Sequence, residues 1–315
     1  MKNLKYWFFR LTIYQSLLYR VNKINSIFKD KLNDSSRRII KNSYSLIASQ
    51  LLRYSINIFI SIWIVRYLGA ELFGAFAYIT ALTGIFGIFS SLGLQSIIVR
   101  ELIKNPNKSE ALFGTSIFLS FIAGIVAYIA LVLTVSFLNS GDKLLLYLAL
   151  INGFTFIFDT FKILSYHHES IVQSDKVARI NNIAVISTSV LKLISLYFDF
   201  GIYVLSGLFI LEAAISGILL YFLFSKEVYN PIKFSIDKIL AKSLMKDALP
   251  LIMSGFMISL YMKIDQVMIQ NLLGNKESGI FAVAVRLTEI FYFIPVIILS
   301  SIFPSIVASK NNSEL

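Results

Sequence analysis

The chain has 315 residues, 57% of them hydrophobic and only 15% charged, with a mean hydropathy of +0.73 and a net charge of +11. A soluble domain of that composition would leave too much apolar surface in water, so the solvent that fits is a bilayer. With no cysteine, disulfides and thiolate metal sites are excluded.

The N-terminus, "MKNLKYWFFRLTIY", lacks a long apolar core followed by small residues, so the first span is expected to serve as the insertion signal in place of a cleaved leader. Residues 4–32 carry Leu4, Trp7, Phe8, Leu11, Leu18, Val21, Ile24, Phe28 and Leu32 at spacings of mostly three and four, with Lys5, Arg10, Arg20, Lys23 and Lys29 between them. That pattern predicts an amphipathic helix lying at the membrane interface within a basic cytoplasmic tail, residues 1–42, with anionic lipid as its partner.

A span needs about 20 mostly apolar residues. Eight stretches qualify: 44–67, 75–99, 112–138, 144–164, 178–198, 202–224, 248–272 and 280–307. The predicted fold class is therefore an all-α polytopic bundle. Odd-numbered connections are short ("GAELFG", "NSGDK", "DFG", "GNKESG"), whereas even-numbered ones are longer and basic. The tails, the even connections and their flanking helix ends hold 22 of the 29 Lys and Arg residues; the odd connections hold three, and four lie within spans. This bias places both termini in the cytoplasm. It also accounts for the basic charge through anionic lipid, with no need of nucleic acid.

The segment "LGAELFGAFAYITAL" (68–82) aligns without gaps on "LGNKESGIFAVAVRL" (273–287), both fitting L-G-x4-G-x-F-A-x4-L. The offset spans six helices, an even number, so the two units share one orientation across the membrane. Parallel repeats of this kind build two-lobed transporters. Residues 43–235 form a six-helix lobe, and residues 246–315 supply the first two helices of a second, incomplete lobe.

Polar residues recur inside the spans at helical spacing. Gln50, Arg53, Asn57 and Ser61 mark the first span; Asn152, Thr155, Asp159 and Lys162 the fourth; Asn181, Thr188 and Lys192 the fifth; Glu212 and Ser216 the sixth. Lys263 and Asp265 lie in the seventh, Arg286 and Glu289 in the eighth. Stripes facing lipid would be costly, so these faces are expected to point inward. Two readings follow: a dry bundle held by ion pairs, or a water-filled cavity with a cationic bias. In the second, Arg53, Asn57, Lys192, Lys263 and Arg286 line the cavity, and Asp159, Glu212, Asp265 and Glu289 are counter-charges or ion-coupling groups. Lys263 and Asp265, about 200° apart on a helix, cannot share a face. Pro295 and Pro304 favour kinks in span eight, and Pro250 falls near the start of span seven, where proline is tolerated.

Signals for catalysis are weak. His167 and His168 are adjacent and diverge on a helix, and "NKS" (107–109) falls on the cytoplasmic side. No phosphate loop or nucleophile motif stands out, so no enzyme and no cofactor are expected.

"YMKIDQVMIQNLLGNKESGIFAVAVRLTEIFYFIP" (261–295) closely resembles the start of the second half of Wzx-type polysaccharide repeat-unit flippases, within the superfamily of multidrug extruders and lipid II flippases. "RYLGAELFGAFAYITALTGIFGIFSSLGLQSIIVRELIK" (66–104) resembles the first half, and the likeness runs over about 42–308. The resemblance implies a transporter that moves undecaprenyl-pyrophosphate-linked oligosaccharide across the cytoplasmic membrane. Lys263, Arg53 and Arg286 would meet the anionic load, and Asp265 would balance the empty site or exchange a proton. It also implies twelve or fourteen spans where this chain has eight. A truncated frame, a fragment, or a split transporter with a missing C-terminal half is expected, with polysaccharide assembly proteins as further partners. The alternatives are an extruder of organic cations, which would want carboxylates and aromatics rather than four buried cations, a membrane glycosyltransferase or polymerase, and a non-transporting membrane fragment.

Overall fold

The computed structural model describes residues 34–227, 235–289 and 291. The expected interfacial helix over 4–32, the second half of span eight, and Pro295 and Pro304 lie outside the described residues. Ten α-helices, numbered here α1 to α10, and no strand occur among the described residues.

Helix α1 covers Asp34–Ser91. Its apolar stretch continues through the next helix, Asn42–Lys104, 63 residues in all. At about 1.5 Å per residue a straight rod of that length would measure ~95 Å, three times the bilayer core. The break falls at Gly69 (φ 67°, ψ 178°), a backbone conformation open essentially to glycine alone. Spans one and two are thus the two limbs of α1, joined by one residue instead of the six-residue connection read from the sequence. The second limb ends earlier than expected, at Ser91, because Leu92 and Gly93 take positive φ and a separate helix α2 (Gln95–Lys104) follows.

Helix α3 (Ser109–Leu138) shows why the bundle belongs in lipid. Ser116, Ser120, Gly124, Ala127, Leu131 and Val135 form its buried face, whereas Phe118, Ile122, Val126, Ile129, Leu133 and Phe137 are exposed. Small and polar residues pack inward and large apolar ones point out, the reverse of a soluble helix. Span four is broken into α4 (Lys143–Gly153), α5 (Thr155–Asp159), a 3-10 stretch (Thr160–Leu164) and α6 (Ser165–Ser170). Asp142 caps α4, accepting from the Leu145 N–H at 3.1 Å.

Helices α7 (Ser174–Tyr197) and α8 (Gly201–Glu227) form a hairpin. The Tyr67 hydroxyl pins its turn, donating to Asp199 and accepting from the Gly201 N–H at 3.1 Å. Helix α9 (Lys238–Leu273) begins ten residues before the expected edge of span seven, capped by Asp237, so Pro250 is interior to it. Helix α10 (Asn275–Glu289) is the described part of span eight.

Gly274 (φ 95°, ψ −176°) repeats the break of Gly69 at the matching position of the L-G-x4-G motif. The second glycines of the two motifs meet face to face. A methyl on Gly74 would overlap the Asn275 carbonyl, and a methyl on Gly279 would overlap the Ala70 carbonyl. Ala70 and Asn275 are themselves repeat equivalents, so this contact is reciprocal, as an isologous contact about a twofold axis is.

Two cores result. One joins Ile60, Phe76, Ile79, Leu131 and Leu148 to Val267 and Ala282. The other, toward the basic connections, joins Leu94, Ile98, Phe113 and Phe224 to Leu244, Ala248 and Ile252. Helix α9 therefore joins both cores, and α10 joins the first.

Candidate functional site

Between the two cores lies a cavity of about 410 Å³. One wall is a stripe of small and hydroxyl residues on the second limb of α1: Thr80, Thr83, Gly84, Gly87 and Ser91. Their three- and four-residue steps place them on a single helical face. Ser120 of α3 forms a second wall, and the broken fourth span supplies the rest through Thr155, Phe156, Asp159, Lys162, Ile163 and Tyr166.

The break brings the polar groups to the cavity. In a 3-10 stretch, residues three apart stack directly above one another. Asp159 Oδ1 and Lys162 Nζ therefore meet at 2.7 Å. Neither is enclosed by protein, with Lys162 58% exposed, so the pair is open to exchange partners with a ligand in the cavity. Thr80 and Thr83 spend their hydroxyl protons on the carbonyls of Phe76 and Ile79, both at 2.8 Å, leaving oxygen lone pairs. The Ser120 hydroxyl is buried with no partner in the protein. The cavity thus offers a cation, a carboxylate, several hydroxyls and two aromatic rings. Such a set suits hydrogen bonding to a polar ligand. No cluster of three or more metal-ligating side chains occurs among the described residues.

The nine residues expected from the sequence are spread over five places. Asp159 lines the cavity, paired with Lys162. Lys192 and Glu212 are paired with each other instead, Nζ to Oε2 2.8 Å, with Lys192 buried and its ammonium 3.8 Å from the Phe209 ring centre. Thr188 also donates to Glu212 at 3.0 Å, and Ser216 to Asn181 at 2.7 Å. The stripes of spans five and six are therefore zipped together in the α7–α8 hairpin.

Lys263 reaches Glu289 on α10 at 3.5 Å, both about two-fifths exposed, and Asp265 is exposed, accepting from the Gln266 N–H at 2.8 Å. Arg286 lies over the Phe73 ring, 4.9 Å from its centre. Arg53 is half-buried and Asn57 exposed on the first limb of α1. Lys263, Glu289 and Arg286 are gathered around α10, while Arg53 and Asn57 stand apart from them.

The family model for polysaccharide biosynthesis proteins matches residues 39–310. This chain belongs to that family. None of the curated proteins matches it. Among solved structures, it is similar to an outward-facing multidrug resistance MATE family transporter of the MOP superfamily, at 19% identity and a TM-score of 0.60 over 86% of this chain and 64% of the other. A MOP superfamily transporter from Pyrococcus furiosus, whose binding pocket is described as reversed in polarity, gives 20% identity and a TM-score of 0.59 over 83% and 62%. An inward-facing MATE family transporter gives 18% and 0.53 over 80% and 62%. The chain shares the fold of these structures and spans less than two thirds of their length.

In this member of the polysaccharide biosynthesis family, several cavity residues were open to sequence reading. The spacing of Thr80, Thr83, Gly84, Gly87 and Ser91 marks one small-residue face, a signal as regular as the charged stripes. Lys162 stood in the span-four stripe beside Asp159. Tyr166 and Ser120 carried no such signal, since they reach the cavity only through the break in span four and the inward face of α3.

Proposed function

We propose that the chain is a membrane transporter, or the larger part of one, that carries lipid-linked oligosaccharide across the cytoplasmic membrane for polysaccharide assembly. The observation that carries this reading is the cavity between the cores, since a hydroxyl-rich pocket within an apolar bundle is what a sugar needs there. Sugars are bound by many hydrogen bonds and by aromatic faces, and Ser120, Asp159, Lys162 and Tyr166 supply both. The match to the polysaccharide biosynthesis family supports a sugar-bearing substrate.

In this reading the basic side faces the cytoplasm, where such substrates are made. Lys263 and Arg286, gathered around α10, carry the anionic diphosphate, whose charge is poorly screened away from bulk water, and Arg53 on α1 meets it at a separate point of the path. Glu289 and Asp265 keep the unloaded path from being strongly positive. Asp159 is the ion-coupling candidate, and Lys192 with Glu212 holds the α7–α8 hairpin. A cation extruder fits less well, because the cavity already holds its own cation in Lys162.

The test is export in cells. A strain lacking its own flippase for the glycan receives the chain, and surface polysaccharide is quantified. Asp159→Asn and Lys162→Gln are expected to cut export at least tenfold with unchanged membrane levels; that is about 1.4 kcal/mol, the loss of one charge-assisted hydrogen bond. Undiminished export in both variants would overturn the assignment.

A further inference from the structure

A second cleft, of about 530 Å³, opens between α2 and α9 and is lined by Ser96, Ile97, Arg100, Lys246, Asp247, Pro250 and Leu251. It lies apart from the sugar cavity, on the seam between the first six spans and α9. Both of its helices pass there from apolar to charged sequence, "IIVRELIK" on one and "KSLMKDALPLIM" on the other. That transition marks headgroup depth.

The charges in this cleft are of both signs. Arg100 donates through Nη2 to Asp247 Oδ2 at 3.0 Å and through Nε to Glu101 Oε1 at 3.2 Å. Lys246 lines the same wall as Asp247. Arg100 and Asp247 are each about half exposed, so this pair too is weak and replaceable. Pro250 adds an acceptor. Without an N–H it cannot bond the carbonyl four residues earlier, which is that of Lys246. The cleft therefore presents two cationic donors beside a carboxylate and a backbone carbonyl that has lost its helical partner.

We propose that this cleft binds a zwitterionic phospholipid headgroup bearing a primary ammonium, of the phosphatidylethanolamine type. Its phosphate takes Arg100 and Lys246, and its ammonium donates to Asp247 and the Lys246 carbonyl. A choline headgroup has the same net charge but no N–H to donate, and a glycerol headgroup leaves the carboxylate without a cation. Bound there, the lipid replaces a single direct ion pair between α2 and α9 with a bridge of several hydrogen bonds. Cohesion across the seam then depends on lipid composition.

The experiment uses the full chain in detergent micelles, with retained lipid counted by native mass spectrometry after exposure to phosphatidylethanolamine, phosphatidylcholine or phosphatidylglycerol. Ethanolamine lipid should be retained about tenfold over choline lipid, the worth of one hydrogen bond to a charged group. Asp247→Asn should lose that preference while still holding phosphate, and Lys246→Gln should weaken all three lipids. Equal retention of ethanolamine and choline lipid by the unaltered chain would overturn the proposal without recourse to any variant. A preference for the glycerol lipid would overturn it as well, showing a plain anion site. None of these readings depends on glycan export, so the two proposals fail separately.

Discussion

Lys192 shows what a single charge requires inside this bundle. It is 2% exposed, and among the described residues its ammonium is held by Glu212 and the face of Phe209. Replacing it with methionine leaves Glu212, about a quarter exposed, with the Thr188 hydroxyl as its donor, so Lys192→Met should destabilise the chain by about 1–3 kcal/mol, the cost of losing a charge-assisted hydrogen bond. Adding Glu212→Leu should recover most of that loss, because two apolar side chains of similar size need no partner. Thermal unfolding in detergent would check both, and an additive pair of losses would show that the two residues do not act together. The sequence marked both residues as charges inside spans. It did not show that they face each other, because that depends on the register of α7 against α8.

At the scale of the element, the two L-G-x4-G motifs make the clearest predictions. Gly69→Ala or Gly274→Ala forces a side chain into a conformation that costs about 1–3 kcal/mol, and each should lower the melting temperature of the detergent-solubilised chain. Gly74→Ala and Gly279→Ala act differently, by driving a methyl into the carbonyl of the facing helix. Each should cost about 1–3 kcal/mol through overpacking. Since both sit at one crossing, the double variant should fall short of the sum, for once the helices have parted the second methyl meets less resistance. A fully additive double variant would show that the two glycines do not share the contact. The motif was visible in the sequence as a repeat. That its two copies touch each other was not, since alignment relates positions without relating places.

For the whole molecule, the decisive feature is that apolar packing is divided into two cores with a polar space between them. Gly87 stands at that space, where an added Cβ would lie 3.6 Å from the Phe156 ring, an ordinary contact. Gly87→Leu should therefore extend into the cavity, leaving the melting temperature within a few degrees while export of polysaccharide falls sharply. A melting temperature that falls together with export would instead mark Gly87 as a packing residue.

Composition and period alone determined the class, the basic side and the repeat. Those properties belong to the chain's local transfer energy, which each segment of about 20 residues carries by itself. The tertiary structure decided which charges meet. It broke span four, which turned Asp159 and Lys162 toward a cavity and Asn152 toward Ser206 on α8 at 3.3 Å. It also moved Lys192 and Glu212 from the expected cavity into a hairpin. A stripe of polar residues specifies a face, but only the packing of neighbouring helices decides what that face looks upon.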